Sequence, residues 1–369
     1  MLTALLLSAW VALPFPPPPE PERDYLIWIA SEATDQVHLV RWGPGGAEVI
    51  RTHSVSVLPT EADGPHGLAL SPDGSQLYVT TAHGRPFGYL SKYDAESGRR
   101  LGRTLLGNFP ASLDVTPEGE YAFIVNFNLH GDMVPSSVSV VGLREMVEVA
   151  RLETCTMPHG SRLSPDGRRQ YSTCMMDDLL IEVDAWELRL ARHFQLTPGA
   201  EAGGEGKPLT HPHHAMHGGG MESAPPVLCS PTWAQPSHDG RSVFVACNGS
   251  DEIVEVDVEA WTVRRRIPAG EGIYNLAVTG DGRRLVATNK RGQSISIFDL
   301  ESGAERARIP TLRRVVHGVV VSPDNRYAFI SVEGVGSEPG TLEVLDLERE
   351  EVVARVDVGP MAAGLVLVP

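Results

Sequence analysis

PHGLALSPDG at 65–74 recurs as PHGSRLSPDG at 158–167 and VHGVVVSPDN at 316–325. Looser copies read PASLDVTPEG (110–119), PTWAQPSHDG (231–240) and IYNLAVTGDG (273–282). Successive copies start 45, 48, 73, 42 and 43 residues apart. A period of roughly 40–50 residues belongs to a solenoid, a propeller or an array of repeats. A β-rich run follows each copy: LYVTTA (77–82), YAFIVN (121–126), RQYSTC (169–174), SVFVAC (242–247), RLVATN (284–289) and YAFISV (327–332). A second run usually ends in Asp, as in LIEVD and IVEVD, and a tight turn leads to a fourth. Four short strands per repeat, alternating in polarity, make one propeller blade.

The strands are named A to D from the axis outward, and blades are numbered from the first complete repeat. SPDG is the A–B turn: Pro presets φ, and Asp-Gly supplies the bend. Six such turns are visible. The final AGLVLVP (363–369) matches HGLALSP (66–72) and stops where the turn would begin. YLIWIA (25–30), QVHLVRW (36–42) and AEVIRTHSV (47–55) fit strands B, C and D of a blade lacking A. The expectation is an all-β, seven-bladed β-propeller whose last blade joins the N-terminal strands to the C-terminal one. Such closure removes exposed sheet edges.

The propeller is expected over 24–369, with an insertion at about 197–230. Residues 1–23 read as a signal peptide followed by a Pro-rich linker: LTALLLSAWVALPF is an apolar run of export-signal length and PFPPPPEPE is stiff. A periplasmic or secreted protein follows. No segment is expected to span a membrane. The net charge of −16, from 31 basic and 47 acidic residues, argues against a nucleic-acid partner. A small molecule or a protein is the expected partner of a monomeric chain.

LYVTT (77–81) and LVATN (285–289) carry the B-strand signature of the YVTN-repeat β-propellers, and the chain resembles that family over about 24–369. The resemblance implies the fold. It leaves function open, because the family holds surface-layer repeats, binding proteins and enzyme-like members. More distantly, the placement of histidines is similar to propellers that hold copper or zinc at the axis, such as selenium-binding protein/methanethiol oxidase.

Strand direction alternates, so the D–A connections and B–C loops share one face. That face collects all four Cys, seven of nine Met and nine of thirteen His. The position after the Pro of PHG holds, around the ring, His66, Ala111, His159, Thr232, Tyr274, His317 and Ala363. Three near-evenly spaced imidazoles on the innermost strands suit copper or zinc with an open position, copper before zinc. The alternative is repeat grammar, each His bonded to a backbone carbonyl.

The insertion HPHHAMHGGGM offers His211, His213, His214, His217 and Met216 as further metal ligands. Tyr274, Asn275, Asn126 and His130 are candidate ligand-binding residues. Asp177 and Asp178 are weaker oxygen donors. Cys155 with Cys174, and Cys229 with Cys247, bracket the A–B hairpins of blades 3 and 4 and are placed to form disulfides; thiolate metal ligation is the rival. The expected function is an exported propeller binding a transition metal at one axial mouth, as an oxidase, lyase or lactonase-like enzyme. The alternative is a non-catalytic scaffold for a protein, peptide or cell-surface partner.

Overall fold

The computed structural model of the chain describes residues 21–56, 62–83, 87–207 and 227–369. Seven antiparallel sheets are arranged as blades, six of four strands and one of five. Blade 1 comprises Pro65–Leu70, Gln76–Thr81, Tyr89–Asp94 and Arg100–Leu105. Blades 2 to 6 repeat that order from Pro110, Pro158, Pro231, Ile273 and Val315. Blade 7 takes its A strand from Ala362–Leu367 and its B strand from Tyr25–Ser31, with Ile27 opposite Leu367 and Ile29 opposite Leu365.

The A–B turns behave as the tetrapeptide predicts, with an addition. In SPDG the Ser71 hydroxyl donates to Asp73 Oδ1 at 2.6 Å and accepts from the Gln76 amide at 2.9 Å. The same Ser/Thr–Asp pairing recurs at Ser164–Asp166, Ser237–Asp239, Thr279–Asp281 and Ser322–Asp324. Gly74 then takes φ 71°, a left-handed backbone that suits glycine. These carboxylates are turn chemistry.

Strand polarity differs from simple alternation. B and C strands are buried on both faces: SVFVAC (242–247) is buried throughout, and YAFIVN (121–126) at all but its first residue. Alternation survives only in the outer D strands, as in Val147–Thr156. The reason is that each blade packs between two others. One core cluster joins Tyr25, Ile27, Val40 and Trp42 of blade 7 to Tyr327, Phe329, Leu342 and Val344 of blade 6. Another joins Tyr171, Leu180 and Phe194 of blade 3 to Val243, Val254 and Trp261 of blade 4.

The innermost strands are also stitched by hydroxyls. Thr80 on the B strand of blade 1 accepts from Gly67 N (2.8 Å) and donates to Ala111 O of blade 2 (3.0 Å). Thr288 does the same between Asn275 N and His317 O (3.0 Å each), and Ser331 between Gly318 N (2.8 Å) and Ala363 O (2.5 Å). The approach is close. A Cβ on Gly67 would lie 2.2 Å from Ala111 O, so the glycine of PHG is required by packing.

The insertion departs from an unstructured loop at its start, because Ala202–Glu205 pairs as a fifth, outermost strand on blade 3. Both disulfides form as expected, Cys155–Cys174 (Cα–Cα 5.9 Å) and Cys229–Cys247 (4.5 Å), and among the described residues no cysteine is free. Thiolate ligation is therefore not available. Among the described residues no helix is long and apolar enough to cross a membrane.

Each disulfide closes a short loop, with separations of 19 and 18 residues. Replacing Cys155 and Cys174 by Ser is expected to cost about 3 kcal/mol, from restored freedom of the unfolded chain. Urea unfolding of the variant against the parent measures this, and an unchanged midpoint would refute it.

Candidate active site at the axial mouth

Backbone geometry delivers the side chains. The residue before each A strand adopts a left-handed conformation in six blades: Gly64, Phe109, Met157, Ser230, Gly272 and Met361 have φ between 44° and 65°. That kink turns the chain inward, and the next residue but one faces the axis. His66, His159, Tyr274 and His317 meet there. The His66 and His317 rings are 5.3 Å apart, His159 and Tyr274 5.3 Å, and Tyr274 and His317 5.0 Å between centroids.

The polar partners fix the tautomers. His159 Nδ1 lies 2.7 Å from Thr232 O, a pure acceptor, so Nδ1 carries the hydrogen. Nε2 is then the acceptor for the Tyr274 hydroxyl at 2.9 Å. His317 Nε2 stands 3.5 Å from the same oxygen and can only donate to it, which leaves His317 Nδ1 bare. That buried atom has no partner among the described residues, and neither has Asn275 Oδ1. Both residues line a small axial cavity of about 40 Å³, with Arg162 and Trp233 also in its wall. A cavity of that size holds a water or two, which such atoms require.

His66 is held differently. Its Nδ1 lies 2.5 Å from Glu32 Oε1, while Glu32 Oε2 receives His83 Nε2 at 2.9 Å. Burial would raise the Glu32 carboxyl, but the two imidazoles, His66 above all, outweigh it and hold the group well below the usual carboxylate range. Lys290 lies over the Tyr274 ring, 4.2 Å from its centroid, and 3.6 Å from Glu333. Burial opposes the ammonium, yet Tyr274, Glu333 and Glu32 raise its pKa. Burial raises the Tyr274 phenol and the Glu333 carboxyl despite Lys290. It pushes His159 down to about 3 and His317 well below its ordinary value, so both imidazoles are neutral at physiological pH.

The three imidazoles thus approach one another without converging on an ion. The Tyr274 hydroxyl fills the point between His159 and His317, and Glu32 takes one nitrogen of His66. Among the described residues no group of three or more His, Cys, Asp or Glu side chains is arranged to hold a metal. A three-imidazole copper or zinc centre does not fit this arrangement. His211, His213, His214, His217 and Met216 lie outside the described residues.

His130 reaches the mouth, its ring 5.7 Å from His83 and 5.5 Å from Phe109. Asn126 does not. Its amide donates to Ser137 and Ser139 and accepts from Gly107 N, entirely within blade 2. Asn289 repeats that pattern with Ser294 and Ser296, so this Asn plays the same structural part in blades 2 and 5. Asp178 accepts three backbone amides, from Leu228, Cys229 and Ser230, and Asp177 accepts that of Thr156. Both pin loops.

Glu32, His83, Lys290, Glu333, Phe109 and Phe127 escaped the sequence reading. The signal was present in a second ring: counted from the residue before each axial position, the residue following its B-strand partner is Ala82, Phe127, Met175, Asn248, Lys290, Glu333 and Glu32 in blades 1 to 7. Blades 5 to 7 bear charge there, and blades 1 to 3 bear apolar groups. The loops that carry these residues differ in length, which hides the register.

The fold and this mouth define a seven-bladed propeller with a polar axial site. No protein-family profile matches the chain, and no curated protein matches it. Solved structures do. A periplasmic gluconolactonase of Pseudomonas aeruginosa superposes with TM-score 0.68 at 19% identity, covering 94% of this chain and 99% of that one. A provisionally assigned 6-phosphogluconolactonase of Bacteroides uniformis gives 0.66 at 17%, covering 94% and 99%. Hydrazine synthase of Kuenenia stuttgartiensis gives 0.63 at 19%, covering 85% and 97%. At such identities the likeness establishes the fold.

An imidazole kept neutral in the fold but titrating near 6.5 when unfolded makes stability fall as pH drops below about 6.5, by up to about 1.4 kcal/mol per pH unit. His159 and His317 both contribute with this sign. His159→Gln and His317→Gln are each expected to flatten the dependence between pH 6.5 and 5. Urea midpoints across that window read it, and a slope identical to the parent's would count against neutral imidazoles.

Proposed function

We propose that the axial mouth hydrolyses a lactone or related cyclic ester, with His66 as general base. The Glu32–His66 pair carries this reading. A carboxylate on Nδ1 fixes the tautomer that presents Nε2 as a lone pair. Water adds to the lactone carbonyl carbon while Nε2 takes its proton. The tetrahedral oxyanion collapses, the ring C–O bond breaks, and the departing alkoxide recovers that proton from His66. The product is a hydroxy acid. Lys290 is the cation beside the site for the developing negative charge.

The gluconolactonase among the structural neighbours supports a reaction of this class on this fold. Export to an oxidising compartment is part of the proposal, supported by the two disulfides. Copper or zinc would require Tyr274 to leave its place between His159 and His317, so no step is routed through a metal.

Acid release from a panel of lactones, followed by pH-stat, tests the reading. His66→Ala is expected to lower kcat/KM by about 100-fold or more, and Glu32→Gln to lower kcat and displace the pH profile. Unchanged hydrolysis by His66→Ala would overturn the base assignment. A parent chain inert to every lactone would leave the scaffold alternative. Stoichiometric copper or zinc by elemental analysis of the same preparation would transfer the chemistry to a metal.

A further inference from the structure

We infer that the lactone accepted here carries an apolar alkyl or aryl substituent. This rests on the lactonase reading above and names its substrate class. The mouth is divided. Charged groups occupy the side of blades 5 to 7, and the side of blades 1 to 3 carries phenyl rings and thioethers, with His83 and His130 the imidazoles set against Phe109.

The apolar wall begins beside His66. Phe109 stands edge-on to His66 at 5.5 Å and to His83 at 5.1 Å, and Phe127 to His159 at 4.7 Å. Met157 completes the buried part, and partly buried Met133, Met175 and Met176 pack against it. Leu129 and Val134 flank Met133 in the loop that follows Phe127 and are 40% and 49% exposed. Phe109 and Met157 hold left-handed backbone (φ 51° and 53°) where blades 1 and 5 have Gly64 and Gly272. Large side chains are thus placed there at a conformational cost.

A sugar lactone bears hydroxyls around its ring, and those turned to Phe109, Phe127 and the methionines would lose water without gaining a partner there. An alkyl chain or aryl ring gains by the same burial. Unbranched thioethers adapt to varied apolar shapes, which suits a substituent of variable length. With the carbonyl at His66 and Lys290, the substituent would run along Phe109 and Phe127 toward Met133.

The test is a series of γ-lactones bearing methyl to octyl chains, an aromatic lactone, and gluconolactone. Expected is a rise in kcat/KM of about tenfold or more from methyl to octyl, with gluconolactone below the whole series. Phe109→Ala, and separately Met133→Ser at the partly buried rim, should each reduce the octyl-to-methyl ratio. A flat series, or a preference for gluconolactone, would overturn the inference while leaving the lactonase reading intact. Calorimetric titration of His66→Ala with the octyl and methyl lactones reads the preference without turnover. Equal affinities there would also refute it, whereas absence of hydrolysis alone would strike only the reading beneath.

Discussion

Buried hydroxyls between the innermost strands hold the centre of this molecule, most fully in blades 1, 5 and 6. Thr80, Thr288 and Ser331 each take an amide hydrogen from their own A strand and give one to the A strand of the next blade. Apolar packing between blades is non-directional and would allow them to slide. The hydroxyl bridge is directional and buried, so it sets the depth of each A strand relative to its neighbour. Histidines from blades 1 and 6, far apart in sequence, come within 5.3 Å because of that common depth. The bridge also requires close approach of backbones, hence the glycine after His66 and His159.

The mouth then inherits order from the ring and asymmetry from the loops. His159, Tyr274 and His317 form a one-way chain of hydrogen bonds, ending on the Thr232 carbonyl. Burial keeps both imidazoles neutral, since a charge so far from water would need a paired counter-ion. Glu32 accepts hydrogen bonds only on its own side, from His66 and His83. Identical positions in the repeat therefore hold histidines in different settings, two buried and neutral, one oriented by Glu32.

The fold was legible because its determinants are local and repeated. SPDG states a turn and its period states the ring. The cysteine pairs followed from hairpin register. The identity of the axial histidines was also readable, since A strands cannot avoid the axis. Their chemistry was not. Whether His159 ligates or merely bonds depends on Thr232 and Tyr274, which lie 73 and 115 residues away. Asn126 seemed a loop residue, but it ends a B strand and bonds two serines of the next strand, a pattern that Asn289 repeats. Glu32 and Lys290 were obscured because B–C loops vary in length, and their register is set by pairing across the blade.

Blade 7 has an A strand and a B strand but no peptide linking them. Val368 N still donates to Leu26 O at 2.8 Å, as a hairpin would. Six blades are covalently hinged at that corner, and the seventh is a latch. The ring therefore has no privileged starting point: the order of blades in space survives whichever A–B corner is left unlinked. A chain begun at another such corner, with the latch tied by an SPDG-like turn, would trace the same circle and present the same mouth.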